Sequence, residues 1–124
     1  MSGLVEFLRA RLDEDEALAR EAPAGPWHIG NAVDPTQPCH VHTFPGARMV
    51  ADGLNWLVAE HIARQNPARA LAEVSAKRRI VDLYEMTSTS AELDPDAWLV
   101  MKETVAHLAT PYADHPDYRE EWKP

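Results

Sequence analysis

The hydrophobic positions of this chain change period several times, and each change marks an element. Over residues 3–21, Leu4, Val5, Phe7, Leu8, Leu12 and Leu18 fall on one arc at 100° per residue. Glu6, Arg9, Asp13 and Glu16 fall on the other side, which predicts an amphipathic helix within residues 1–22. Pro23-Ala24-Gly25-Pro26 ends it, because proline disfavours helix at its own position and at the one before. The period then drops to two: Trp27 and Ile29 alternate with His28 and Gly30, and Val41 and Thr43 with His40, His42 and Phe44. Phe44-Pro45-Gly46-Ala47 suits a type II turn and pairs residues 40–44 with 47–51 as a hairpin, while Asp34–Pro38 is loop. A short three-stranded antiparallel meander over residues 26–52 is the result.

Helical spacing returns at residue 53, where Leu54, Leu57, Val58, His61 and Ile62 share a face up to about residue 65. Asn66-Pro67 supplies a cap and a proline at the first helical position, starting a third helix to about Tyr84. That helix is apolar on two sides. Ala70, Leu71, Val74 and Val81 lie roughly opposite Ala76, Ile80 and Leu83, so it is either central to the fold or in contact with a second chain. Met86–Leu93, rich in Ser and Thr, reads as a linker. Asp94-Pro95 repeats the cap-then-proline signal and opens a fourth helix to about Ala109, with Trp98, Met101, Val105 and Leu108 as its stripe. The tail, residues 110–124, holds Tyr112, Tyr118 and Trp122 among polar residues and two prolines, and is expected to be an extended arm docked by those aromatics. The expected fold is a single α+β domain: an N-terminal helix, the meander, a helical part over residues 53–109 and the docked tail.

Composition narrows the partners. A chain of 124 residues and 13.9 kDa with 45% hydrophobic side chains fits one globular domain. The formal charge of -8, from 20 acidic against 12 basic side chains, opposes contact with nucleic-acid phosphates, so no nucleic-acid partner is expected. Cys39 is the single cysteine and no intramolecular disulfide can form. Glu6 and Arg9 interrupt the first apolar run, and no later stretch is long enough to span a bilayer, so the expected location is the cytoplasm, without a membrane partner.

Five segments carry a resemblance: Leu4-Val5-Glu6-Phe7-Leu8-Arg9-Ala10-Arg11-Leu12-Asp13-Glu14-Asp15-Glu16; Ala24-Gly25-Pro26-Trp27; Glu60-His61-Ile62-Ala63-Arg64-Gln65-Asn66-Pro67-Ala68-Arg69; Ala76-Lys77-Arg78-Arg79-Ile80; and Pro111-Tyr112-Ala113-Asp114-His115-Pro116-Asp117-Tyr118. With these the chain resembles, nearly end to end, a family of small uncharacterised actinobacterial proteins, a domain of unknown function also found in phage-like elements. The resemblance implies no chemistry. Some relatives carry several cysteines before the last helix, where this chain has Met86–Leu93 with none, so a metal site built there in relatives is absent here.

Candidate chemistry is sparse. His40 and His42 are two apart on a strand and project from one face, with Cys39 pointing the other way. With His28 from the neighbouring strand they could hold zinc and leave a position open for water, which gives the alternative of a metal-dependent, hydrolase-like enzyme. The opposing reading is surface histidines on a solvated face, with no cofactor. His61 sits inside the apolar arc of the second helix and reads as a core histidine with a hydrogen-bond partner. Arg78 falls inside the Leu71, Val74, Val81 stripe and calls for a carboxylate from the first helix or the tail. Asp114-His115-Pro116-Asp117 puts acid beside imidazole, but between docking aromatics such residues most often cap or solvate an arm. Trp56 points off its helix's arc and, with Ile80 and Leu83, could form an exposed patch for a protein partner or a homodimer. No glycine-rich phosphate loop, Gly-x-Ser-x-Gly or Cys-x-x-Cys element occurs. The leading expectation is a non-enzymatic interaction or regulatory protein working through an exposed helical face.

Overall fold

The computed structural model describes residues 3–30, 34, 36–88, 92 and 94–124. Its elements are α1 (Leu4–Glu21), β1 (Trp27–Gly30), β2 (Cys39–Thr43), β3 (Met49–Leu54), α2 (Trp56–Arg64), α3 (Pro67–Ser88) and α4 (Pro95–Ala109), followed by 3-10 turns at Thr110–Tyr112 and Glu120–Trp122. This is an α+β fold with one antiparallel sheet in the order β1-β2-β3. No helix among the described residues is long and apolar enough to cross a membrane. Residue contacts group into two units, Met1–Glu14 with Val74–Pro124, and Asp15–Glu73.

In the first unit, Leu4, Phe7 and Leu8 of α1, Val81 and Tyr84 of α3, Val105 and Ala109 of α4 and Trp122 form the buried core. The three-and-four spacing on each helix is what turns these side chains inward together. Asp94 caps α4 by accepting the Ala97 N–H at 3.1 Å, with Pro95 at the first helical position. α3 runs past Tyr84 to Ser88. The hydroxyls of Thr87 and Ser88 bond back to the carbonyls of Tyr84 and Glu85, at 2.8 and 2.7 Å, so the start of the expected linker is helical instead. Of that linker, positions 89–91 and 93 lie outside the described residues.

The tail corrects a second expectation, since it is not an extended arm. Ala113, His115 and Tyr118 donate their N–H groups to the carbonyls of Thr110, Tyr112 and His115, at 3.0 to 3.1 Å, and coil the segment into successive turns. The φ that proline fixes suits a 3-10 turn as well as an extended chain, and the repeated three-residue bonds decide between them.

In the second unit, the sheet buries Cys39, Val41 and Thr43 on one face and packs Cys39 and Val41 against Ala59 of α2. β2 and β3 form the expected hairpin, with Val41 opposite Ala51 and His42 opposite Met49. Its turn is not type II. The Phe44–Pro45 bond is cis, Gly46 and Ala47 both have positive φ (80° and 48°), and Ala47 N–H donates to the Pro45 carbonyl. A type II turn with Pro45 and Gly46 at its centre would bond the Ala47 N–H to the Phe44 carbonyl instead. Arg48 closes the loop, its carbonyl accepting from Thr43 N–H at 2.8 Å and its N–H donating to Thr43 Oγ1 at 3.0 Å. β3 extends to Leu54, and Asn55 caps α2 by accepting the Val58 N–H at 3.0 Å.

Two apolar arcs are also revised. On α1, Leu18 is exposed and Ala19 is buried. On α2, Leu57 is 77% exposed and Val58 43%, whereas Trp56, Ala59, Ile62 and Ala63 meet the sheet. Ala59 and Ala63 are small enough to bring the helix backbone close to the strands. The large Trp56 ring gains more from cover than Leu57 does.

Candidate functional site

The β1–β2 register sets His28 opposite His42 and His40 opposite Gly30, so the three histidines share the sheet face turned away from α2. Their rings pack as a row. Centroids are 5.1 Å apart for His40 and His42 and 6.4 Å for His28 and His42, and Phe44 extends the row at 5.1 Å from His28. The tilts of 34° to 46° are those of ring-on-ring contact. His40 lies across Gly30, where any Cβ would collide with the imidazole. His42 Nδ1 is buried without a hydrogen-bond partner among the described residues. Among the described residues no group of three or more His, Cys, Asp or Glu side chains is placed to hold a metal ion. The Cys39 thiol is buried on the opposite face, its Sγ 3.8 Å from the Gln37 carbonyl.

The turn of α2 determines where its polar residues stand. His61 is exposed on the outer side, not in a core, because the buried side of the helix is the one carrying Ala59. Trp56 is half-buried and forms one wall of a groove of about 540 Å³. The opposite wall is β1, with Trp27, His28 and Ile29 in succession. Trp27 is locked in place by its Nε1–H, which donates to the Pro23 carbonyl at 2.9 Å. Glu60, Ala63 and Arg64 continue the α2 wall, and Asn66 and Arg69 close the end from the start of α3. Asn66 caps α3 by accepting the Arg69 N–H at 3.1 Å, which brings Arg69 back over the groove. Arg64 pairs with Glu60 at 2.8 Å and Arg69 with Glu73 at 3.1 Å, all four side chains being 39% to 69% exposed. Two indoles and two guanidiniums on a groove of this size form a surface able to take an apolar group and an anion together.

In the first unit the tail aromatics surround Phe7, with Tyr112, His115, Tyr118 and Trp122 centred 5.1 to 6.4 Å from its ring. Arg11, also buried, sits beside this cluster. Its Cζ is 5.1 Å from the Phe7 centroid, its Nη1 is 2.6 Å from His115 Nε2 and 2.9 Å from Nδ1, and its Nη2 donates to Glu14 at 2.9 Å. Arg11 Nε is buried without a hydrogen-bond partner among the described residues. The Asp117 N–H donates to His115 Nδ1 at 3.0 Å and fixes the ring. Arg78 pairs with Asp13 of α1 at 2.7 Å. Ile80 is half-buried on the core, and Leu83 is 51% exposed, with Met86 one turn on also exposed. Trp56 belongs to the other unit.

Sequence reasoning therefore missed Trp27, Arg64 and Arg69 as groove residues, and Arg11 as a buried cation. Arg11 had a visible signal: it falls four residues after Phe7 and three after Leu8, inside the apolar arc of α1. The groove had none, since its walls come from segments separated by the whole meander.

No protein of curated function and no solved structure matches this chain. Over residues 1–124 it matches a family of unknown function, DUF6221, and the chain belongs to that family.

Proposed function

We propose that this chain is a small non-enzymatic interaction protein with a regulatory role, cytoplasmic and encoded at an actinobacterial or phage-derived locus, which docks a separate protein partner at the groove between α2 and β1. The observation that supports the reading is the groove itself. It offers apolar walls in Trp27 and Trp56 and exposed cations in Arg64 and Arg69, on a chain whose net charge of -8 otherwise repels anions. Aromatic and arginine side chains are also the types that dominate binding energy at protein interfaces.

The test is selection of a displayed library of random peptides with free C-termini against the full chain, with counter-selection on the double variant Arg64→Glu, Arg69→Glu. Both side chains are surface-exposed, so the variant keeps the fold. Clones retained by the natural chain and lost on the variant are the expected result. No enrichment, or enrichment indifferent to the charge reversal, overturns the reading. A dimer in size-exclusion chromatography that dissociates on the same reversal would assign the groove to a second copy and remove the separate partner.

A further inference from the structure

The groove runs along an open edge of the sheet. β1 is the first strand in the order β1-β2-β3 and pairs on one side only. Phe44 N–H donates to the Pro26 carbonyl at 2.9 Å, and His28 and Gly30 stand opposite His42 and His40. An antiparallel ladder alternates, so residues 26, 28 and 30 direct their main-chain groups at β2, while Trp27 and Ile29 direct theirs away from it. Those outward N–H and C=O groups have no partner among the described residues. An edge of this kind is a template for a further strand.

The arginines supply a second requirement. Each is engaged by an exposed carboxylate of its own helix, four residues away, an exchangeable type of pair. A guanidinium has five N–H donors in a fork that fits a carboxylate, so both keep donors for an incoming one. Resting on the docking reading above, we infer that the partner binds as an extended segment that adds a strand to β1, bonding the Trp27 and Ile29 main chain. The segment sets a carboxylate, from an acidic side chain or its own C-terminus, against Arg64 and Arg69. Main-chain bonds to the edge supply affinity and the indole-lined groove supplies side-chain choice.

Peptides recovered by the selection are synthesised in five forms: parent, N-methylated in either of the two alternate registers, C-terminally amidated, and with acidic residues replaced by their amides. Binding to the full chain is read by isothermal titration, and position by amide and indole shifts in NMR spectra of the labelled protein. One N-methyl register should weaken binding about tenfold or more and the other should not, with the largest shifts at the Trp27 and Ile29 amides. Either amidation or acid-to-amide replacement should cost about tenfold on the natural chain. Which of the two forms weakens binding identifies the source of the carboxylate. Peptides that need the arginines yet tolerate both N-methyl registers would overturn strand addition and leave the docking reading standing. Tolerance of both neutral forms would overturn the carboxylate. A selection that yields no peptide overturns both readings together.

Discussion

Replacing Trp122 by alanine tests whether the C-terminal turns are part of the fold. The indole is 2% exposed and centred 5.1 Å from Phe7 and 5.7 Å from Tyr118, and its Cζ2 stands 3.5 Å from where a Cβ on Gly3 would lie. Truncating a buried tryptophan costs about 3–5 kcal/mol, from lost transfer energy and from the cavity left behind. About 0.5–1.5 kcal/mol per aromatic pair of that is ring geometry. Domains of ordinary stability hold about 5–15 kcal/mol, so the variant loses a large fraction. With a urea slope of about 1–3 kcal/mol/M, the unfolding midpoint should fall by more than about 1 M. The assay is urea unfolding followed by far-ultraviolet circular dichroism, since the substitution also removes a fluorophore. Trp122→Phe keeps a ring on Phe7 and should fall between the two. Arg119→Ala is the control: its guanidinium lies 5.4 Å from the same ring but is exposed, and contributes about 0.5–1 kcal/mol. A Trp122→Ala midpoint no lower than the control's, at unchanged slope, would refute the docked tail.

Three further outcomes follow from the same contacts. Burial holds the Tyr84 phenol above its ordinary value. Its folded pKa therefore exceeds the unfolded one, and its contribution is complete below about pH 10 and lost as pH rises through the folded value. Urea midpoints should decline as pH rises above about 10, and Tyr84→Phe should flatten that decline; equal slopes in both proteins would remove the cause. A double-mutant cycle with Arg11→Met and His115→Phe should give a coupling of about 0.5–3 kcal/mol, and additive effects would show that the guanidinium–imidazole contact carries nothing. On α2, His61→Ala should stay within about 0.5 kcal/mol of the natural chain, while Ala59→Leu should cost about 1–3 kcal/mol by overpacking against the sheet. The reverse order would put the helix back on its Leu57–His61 face.

What the sequence disclosed depended on how local the signal was. Cap-then-proline at Asn66-Pro67 and Asp94-Pro95 placed two helix starts correctly, because those residues act within one turn. The stripe of α4 and the first three turns of α1 were legible for the same reason. The histidine row was legible too, since a period of two decides which strand residues share a face, but periodicity says nothing of where ring nitrogens point. The tail's turns were hidden because proline's fixed φ is compatible with two conformations and only the main-chain bonds separate them.

The misassigned face of α2 and the missed groove have one cause. A helix wheel weighs side chains by hydropathy, and Leu57, Val58 and Ile62 outweigh two alanines. Packing on a sheet also weighs how closely the helix can approach, and Ala59 and Ala63 permit the closest approach. Once that side is chosen, Trp56, Glu60, Ala63 and Arg64, at spacings of four, seven and eight from the first, line up along β1 and make the groove wall. Had the Leu57–His61 face been buried, these residues would have been turned away from β1. Ala59→Leu therefore bears on both stability and binding. By lifting α2 off the strands it should shift the Trp27 and Trp56 indole resonances and weaken selected peptides by at least as much as it weakens the fold. Unchanged peptide affinity in a destabilised Ala59→Leu chain would separate the groove from the packing that is argued to build it.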